Sequence, residues 1–180
     1  MAPSVQAIRE LRELTGAGIL DCKEALEEAN DDREKAIQIL RRRGLEIASK
    51  KAERATAQGL VHAYIHHDGR CGALVEIDCE TDFVAHTEEF RQLAQDIAMQ
   101  VAAMDPLFIT PEEIQEDNES DPREVCLLLQ PFIKDEKVTI GDLVTEVIRR
   151  TGENIRIHRF ARFELGHPVG ITHAHPGRAG

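Results

Sequence analysis

The hydrophobic period of this chain changes once, near Gly59. Before that point apolar residues recur every three or four positions. After it, they alternate. A three-to-four repeat buries one stripe of a helix, whereas alternation buries one face of a strand, and neither pattern serves the other geometry. The chain is therefore expected to hold a helical module over 1–55 and a mixed sheet-and-helix core over 56–165. The last fifteen residues, 166–180, lack periodicity and are rich in Gly, Pro and His, so they are expected to form a disordered tail. Charge divides at the same place. Residues 1–55 carry 11 basic and 11 acidic side chains, and the whole formal net charge of −11 falls after them.

Three short helices are legible in the first module. Ser4 can cap the first, with Val5, Ile8, Leu11 and Leu14 along one face, and Thr15-Gly16-Ala17-Gly18 breaks the pattern. Asp21 with Glu24 reads as an acidic capping box for the second, with Ala25, Leu26 and Ala29 as its apolar stripe. Asp31 with Glu34 repeats that signature for the third, which buries Ala36, Ile37 and Leu40. Arg41–Arg43 are then expected in its last turn and Gly44 at its end, with 45–55 as a polar helical linker.

In the second module, Leu60–Ile65 and Ala73–Glu80 alternate around Asp68-Gly69, which predicts an antiparallel hairpin. Thr87 then starts a long helix whose Phe90, Leu93, Ala94, Ile97, Ala98, Val101 and Ala102 form a full apolar stripe over the hairpin. Asp105-Pro106 ends it. Residues 112–124 carry seven acids and one Arg, and a solvated segment is expected there. Val125–Leu129 is a short apolar run of open type. Ile140, Leu143, Val144, Val147 and Ile148 make a last helix closed by Gly152. A third strand over 154–165 has Ile155, Ile157, Ala161, Phe163 and Leu165 on one parity. The expected fold class is α+β: helices on one face of a three-stranded antiparallel sheet, preceded by a three-helix module.

Composition narrows the function. A net charge of −11 is a poor basis for binding nucleic acid, where cations must neutralise phosphates. No apolar run reaches the roughly 18 residues that span a bilayer, and the charged N-terminus does not resemble a signal peptide, so a cytoplasmic protein without membrane contact is expected. Cys22, Cys71, Cys79 and Cys126 form no C-x-x-C pair, which suits a reducing compartment. His167, His173 and His175 sit in the tail without groups to orient them, so no metal site is expected. No nucleophile elbow, P-loop, zinc-protease motif or glycine-rich cofactor loop is present, so neither an enzyme nor a cofactor is expected.

One segment is not explained by folding alone. Thr81-Asp82-Phe83-Val84-Ala85-His86 lies between the second strand and the long helix, at a corner where an aromatic ring is not automatically covered. Either Asp82 caps a turn and Phe83 plugs the end of the core, or the pair is a wedge presented to a partner. A plain adaptor, whose three-helix unit binds ubiquitin or a peptide, accounts for residues 1–55 but leaves this corner without a purpose.

Several short words, taken together and in order, resemble the bacterial elongation factor Ts family. They are Thr15-Gly16-Ala17-Gly18 with Asp21-Cys22-Lys23-Glu24-Ala25-Leu26, then Glu80-Thr81-Asp82-Phe83-Val84-Ala85, then Gly152-Glu153-Asn154-Ile155 leading to Arg159-Phe160. The resemblance covers most of 4–104 and 131–165. It implies a guanine-nucleotide exchange factor for elongation factor Tu, met in its GDP-bound and nucleotide-free states. It implies that 1–55 is a ubiquitin-associated-like docking module, with Lys23 as a contact. It further implies that Thr81, Asp82, Phe83 and Val84 form the element that dislocates magnesium in the partner, with Gly152 near the partner surface. Long members of the family have two core subdomains and this chain has one, so a homodimer is expected to complete the core.

Overall fold

The computed structural model describes residues 2–114 and 118–168, and the chain divides into two compact units, Met1–Glu53 and Arg54–Gly180. Most of the expected tail, from residue 169 onward, and residues 115–117 of the acidic stretch lie outside the described residues. Among those described, no helix is long and apolar enough to cross a membrane.

The first unit consists of α1 (Val5–Thr15), α2 (Ile19–Glu28) and α3 (Arg33–Lys51). Leu11, Cys22, Ala25, Leu26, Ala36 and Leu40 form its buried centre. Ser4 caps α1 by accepting from the Ala7 N–H at 3.0 Å, and Gly16 closes it in the left-handed region at φ 65°. Three local expectations are corrected. Asp21 does not cap α2. The helix begins at Ile19 after an extended Gly18, which leaves Asp21 inside the first turn, where a carboxylate still favours the helix dipole. Asp32, not Asp31, caps α3, accepting from the Lys35 N–H at 3.1 Å, because Asn30 and Asp31 have left-handed backbones (φ 53° and 62°) that reverse the chain. That N–H also holds the Asp32 carboxyl below its usual range. Gly44 does not end α3, which runs on to Lys51 with Gly44 buried. A glycine inside a helix costs about 1 kcal/mol. The backbone hydrogen bonds of the turns that follow outweigh that cost. Arg41–Arg43 are consequently mid-helix. Arg42 pairs with Glu28 at 3.2 Å, and Arg43 pairs with Glu24 at 3.1 Å and with Glu28 at 3.0 Å, stapling α3 to α2.

The second unit runs β1 (Gln58–Ile65), β2 (Cys71–Cys79), α4 (Asp82–Ala85), α5 (Glu88–Met104), α6 (Pro122–Val125), β3 (Pro131–Phe132), β4 (Asp135–Thr139), α7 (Ile140–Thr151) and β5 (Ile155–Glu164). It is mixed α and β, as expected. β1, β2 and β5 form an antiparallel sheet in the order β1-β2-β5. Gly69, at φ 69°, makes the β1–β2 turn that Asp68-Gly69 predicts. Ala73, Val75, Ile77 and Cys79 are buried on one face of β2, and the α5 stripe of Phe90, Leu93, Ala94, Ile97, Ala98, Val101 and Ala102 is buried as well. Thr87 caps α5 and Asp105, at φ 47°, closes it.

The third strand does not keep one parity. A register shift opposite Glu76 and Ile77 moves it by one residue. Ile155, Ile157 and then Phe160 are buried, while Phe163 and Leu165 are exposed. Such a bulge reverses every side chain beyond it. Val125–Leu129 is the end of α6 followed by a 3-10 turn over Leu127–Leu129, paired through Cys126 with Phe108. The β3–β4 hairpin was not evident from the pattern, since its first strand is two residues long. It is held by a buried amide: Gln100 Nε2 donates to Gln130 Oε1 at 3.2 Å and to the Pro131 carbonyl at 3.1 Å, and Gln100 Oε1 accepts from the Ile133 N–H at 3.0 Å. Burying polar groups is tolerable only when they are paired in this way.

Gly59, the second residue of β1, has φ 154°, and a Cβ there would collide with the Ile77 carbonyl oxygen and the Asp78 Cα. Gly59→Ala is expected to cost about 2 kcal/mol, from strained backbone and forced separation of β1 from β2. A urea titration checks this, and a midpoint equal to that of the unsubstituted chain would refute it.

Candidate functional site: the strand-to-helix corner

The corner between β2 and α5 folds as a single helical turn, α4. The Thr81 Oγ1 accepts from the Val84 N–H at 3.4 Å, and the Thr81 carbonyl accepts from the Ala85 N–H at 3.3 Å. The Thr87 hydroxyl donates to the Val84 carbonyl at 2.8 Å, and His86 Nδ1 donates to the Asp82 carbonyl at 2.6 Å. Val84 and Ala85 turn inward and are buried. A helical turn that buries those two must point the preceding pair outward. Phe83 is accordingly 78% exposed, and Asp82 is exposed beside it. Phe83 therefore does not plug the core.

The turn is fastened from below and from the side. The Cys79 thiol donates to the Thr81 carbonyl at 3.1 Å. Burial, followed by the charge of Glu153, pushes this thiol up to about 11. From the side, the Glu153 carboxylate accepts three hydrogen bonds: from the Glu80 N–H at 3.1 Å, the Thr81 N–H at 3.0 Å and the Thr81 hydroxyl at 2.6 Å. Glu80 answers by accepting from the Asn154 N–H at 2.6 Å and pairing with Arg54 at 3.5 Å. The Asn154 amide donates to the Arg54 carbonyl at 2.8 Å.

Gly152 makes this exchange of hydrogen bonds feasible. It closes α7 in the left-handed region at φ 76°, a conformation glycine adopts without strain, and the chain then turns directly into Glu153. Arg150, two residues earlier, pairs with Glu89 in the first turn of α5 at 3.0 Å. Thr81, Asp82, Phe83, Val84 and Gly152 thus belong to one neighbourhood. Lys23 lies in the first unit, exposed on α2 and 3.8 Å from Glu27. Glu80, Glu153 and Asn154 stand in the words that carry the resemblance, but sequence reasoning assigned them no role in the site. The bonds that join Glu153 and Asn154 to Glu80 and Thr81 span more than 70 residues, and no local pattern reports that. Among the described residues no group of three His, Cys, Asp or Glu is arranged to hold a metal ion.

Two outcomes follow from this geometry. An exposed ring contributes little to stability, so Phe83→Ala should shift the unfolding free energy by less than about 0.5 kcal/mol, as read from thermal and denaturant melts. A loss of several kcal/mol would return the ring to the core. Thiols react as thiolates. At pH 8, Cys71, the one only partly covered, should therefore be labelled first by a maleimide in the folded protein, with Cys79 protected. Early labelling of Cys79, detected by peptide mass mapping, would show that the corner opens.

Comparison with known proteins agrees with the motif. Residues 9–125 match the family model described as Elongation factor TS. A relative from Carboxydothermus hydrogenoformans named Elongation factor Ts is 51% identical over 191 residues, covering 89% of this chain and 88% of that protein. Proteins of the same name from Caldanaerobacter subterraneus subsp. tengcongensis and Thermotoga maritima are 48% and 44% identical, each covering 92% of this chain and 98% of theirs. With a match over more than half its length and relatives this similar over nearly all of it, the chain belongs to the elongation factor Ts family.

Proposed function

We propose that this protein is a guanine-nucleotide exchange factor that binds elongation factor Tu in its GDP-bound and nucleotide-free states, and that it acts without covalent chemistry of its own. The observation that carries this reading is the exposed Phe83 on a turn whose other apolar residues are buried. An apolar ring held in water by a hydrogen-bonded scaffold is already ordered for insertion, so a partner pocket gains its burial at little conformational cost. Bound magnesium neutralises phosphate charge and holds the switch segments of a GTPase. A wedge of Phe83 with Asp82 beside it displaces those segments, weakening magnesium and phosphate contacts, and GDP leaves. The coupling is reciprocal, so GDP weakens this protein's binding by the same factor. Each tenfold loss of GDP affinity requires about 1.4 kcal/mol of differential binding. A buried aromatic anchor contributes roughly 2 kcal/mol or more. The wedge therefore covers a decade or two, and docking surfaces, Lys23 among them, supply the remainder. Action in the cytoplasm follows from that partner.

A homodimer is part of the same reading. On the sheet face away from α5, the register places Val61 beside Glu76 and Arg159, Ala63 beside Leu74 and Ala161, and Ile65 beside Gly72 and Phe163. Val61 is 66%, Ile65 67%, Leu74 45% and Phe163 51% exposed. An apolar face of this kind on one core subdomain supports its being covered by a second copy.

Release of fluorescent GDP from elongation factor Tu tests the proposal: this protein should accelerate it, and no acceleration with a cognate partner would refute exchange. Phe83→Ala should lower the maximal rate by about tenfold or more, consistent with loss of a hot-spot anchor. Lys23→Glu should instead raise the half-saturation and spare the maximal rate. Sedimentation should give a dimer at micromolar concentration, converted to monomer by Leu74→Glu with unchanged helix content. A compact monomer for the unsubstituted chain would rule out the dimer.

A further inference from the structure

The carboxylate of Glu153 reaches the corner from another part of the unit and bonds directly to Thr81, and its bonding pattern has a direction. The Thr81 hydroxyl has one proton. It gives that proton to Glu153 Oε1 at 2.6 Å, which leaves its lone pairs for the Val84 N–H at 3.4 Å. Glu153 Oε2 takes the Glu80 and Thr81 N–H groups, fixing the two peptides that lead into the turn. The α4 cap is thereby oriented by a side chain 72 residues away that follows the Gly152 cap, while burial of Val84 and Ala85 turns Asp82 and Phe83 outward.

We propose that Glu153 is the positioning residue of the wedge: its carboxylate holds the Thr81 cap so that Phe83 is presented to the partner in one orientation, and it acts through Thr81 without touching the nucleotide or the magnesium. This rests on the exchange reading above. Charge-assisted hydrogen bonds to a carboxylate are among the stronger ones, and three on one group define an orientation more narrowly than a neutral cap alone. Without them the turn keeps its bonds to Cys79, His86 and Thr87, but the Glu80 and Thr81 N–H groups and the Thr81 hydroxyl lose the acceptor that fixes the entry into α4, and a one-turn helix has little cohesion of its own.

The test uses the full chain with elongation factor Tu. Glu153→Ala should lower the maximal rate of GDP release by about threefold to tenfold, the range given by losing about 0.7–1.4 kcal/mol of orientation, while the half-saturation, set by docking, stays within about twofold. Glu153→Gln keeps the length and one acceptor oxygen and should fall between the two. It also provides the measurement if the Ala variant melts at the assay temperature. In the Phe83→Ala background, Glu153→Ala should cause no further loss, because the residue it positions is gone. A loss there equal to that in the Phe83 background would mark Glu153 as a general stabiliser and overturn the proposal. Amide hydrogen exchange on the free protein gives a readout that does not depend on the partner. Glu80, Thr81 and Val84 should exchange faster in Glu153→Ala, and unchanged protection would overturn the proposal. If the unsubstituted protein does not accelerate release, exchange itself fails. If it does and Glu153→Ala matches it, only the positioning role fails.

Discussion

The second unit depends on the burial of α5 against one face of the β1-β2-β5 sheet. Phe90, Leu93, Ile97 and Val101 recur along α5 so that one stripe meets Val75, Ile77, Ile157 and Phe160, all buried. Removing this apolar area from water is the main favourable term available to the unit. The other elements are attached with reference to it. Gln100, on the same helix, carries the hydrogen bonds that fasten the β3–β4 hairpin. Glu89, in its first turn, anchors the end of α7 through Arg150. The N-terminus of α5 fixes where β2 must hand the chain over, and that handover is the corner.

That corner combines two opposite requirements. On the exchange reading proposed above, it has to be rigid enough to hold Phe83 in water and open enough for the ring to leave water on binding. Rigidity comes from polar bonds, supplied by Glu153, Glu80, Thr81 and Cys79, because apolar packing of Phe83 itself would remove it from reach. Val84 and Ala85 contribute the apolar share from beneath. The net charge fits the same logic. All of the acidic excess lies after residue 55, in the part of the chain that carries the corner. An acidic excess disfavours phosphates, which suits the proposed displacement of a nucleotide through protein contacts in preference to binding it.

The two apolar surfaces of the sheet illustrate how much was legible. The α5 stripe, the caps at Ser4 and Thr87, the Asp68-Gly69 turn and the closing Gly152 were all readable, because each depends on neighbours within about four residues. Gly44 was misread for the converse reason. The same residue ends a helix or continues it according to packing and the turns that follow, and local sequence does not report either. The parity of β5 failed at a bulge, which is a property of two strands together and not of one. The Val61, Ile65, Leu74 and Phe163 face looked like ordinary strand alternation and became an unpartnered surface only once the register set those side chains together.

By itself, the sequence determined the order and type of the major elements, the helical module before the mixed one, and the presence of a Thr-Asp-Phe-Val word at a strand-to-helix boundary. Periodicity and capping are local physics, and they are written in consecutive residues. Only the tertiary structure decided that Phe83 stays outside while Val84 goes in, and that Gly152, Glu153 and Asn154 meet the corner from across the fold. Those outcomes depend on hydrogen bonds spanning more than 70 residues, which require the tertiary fold that brings the two chain segments within reach.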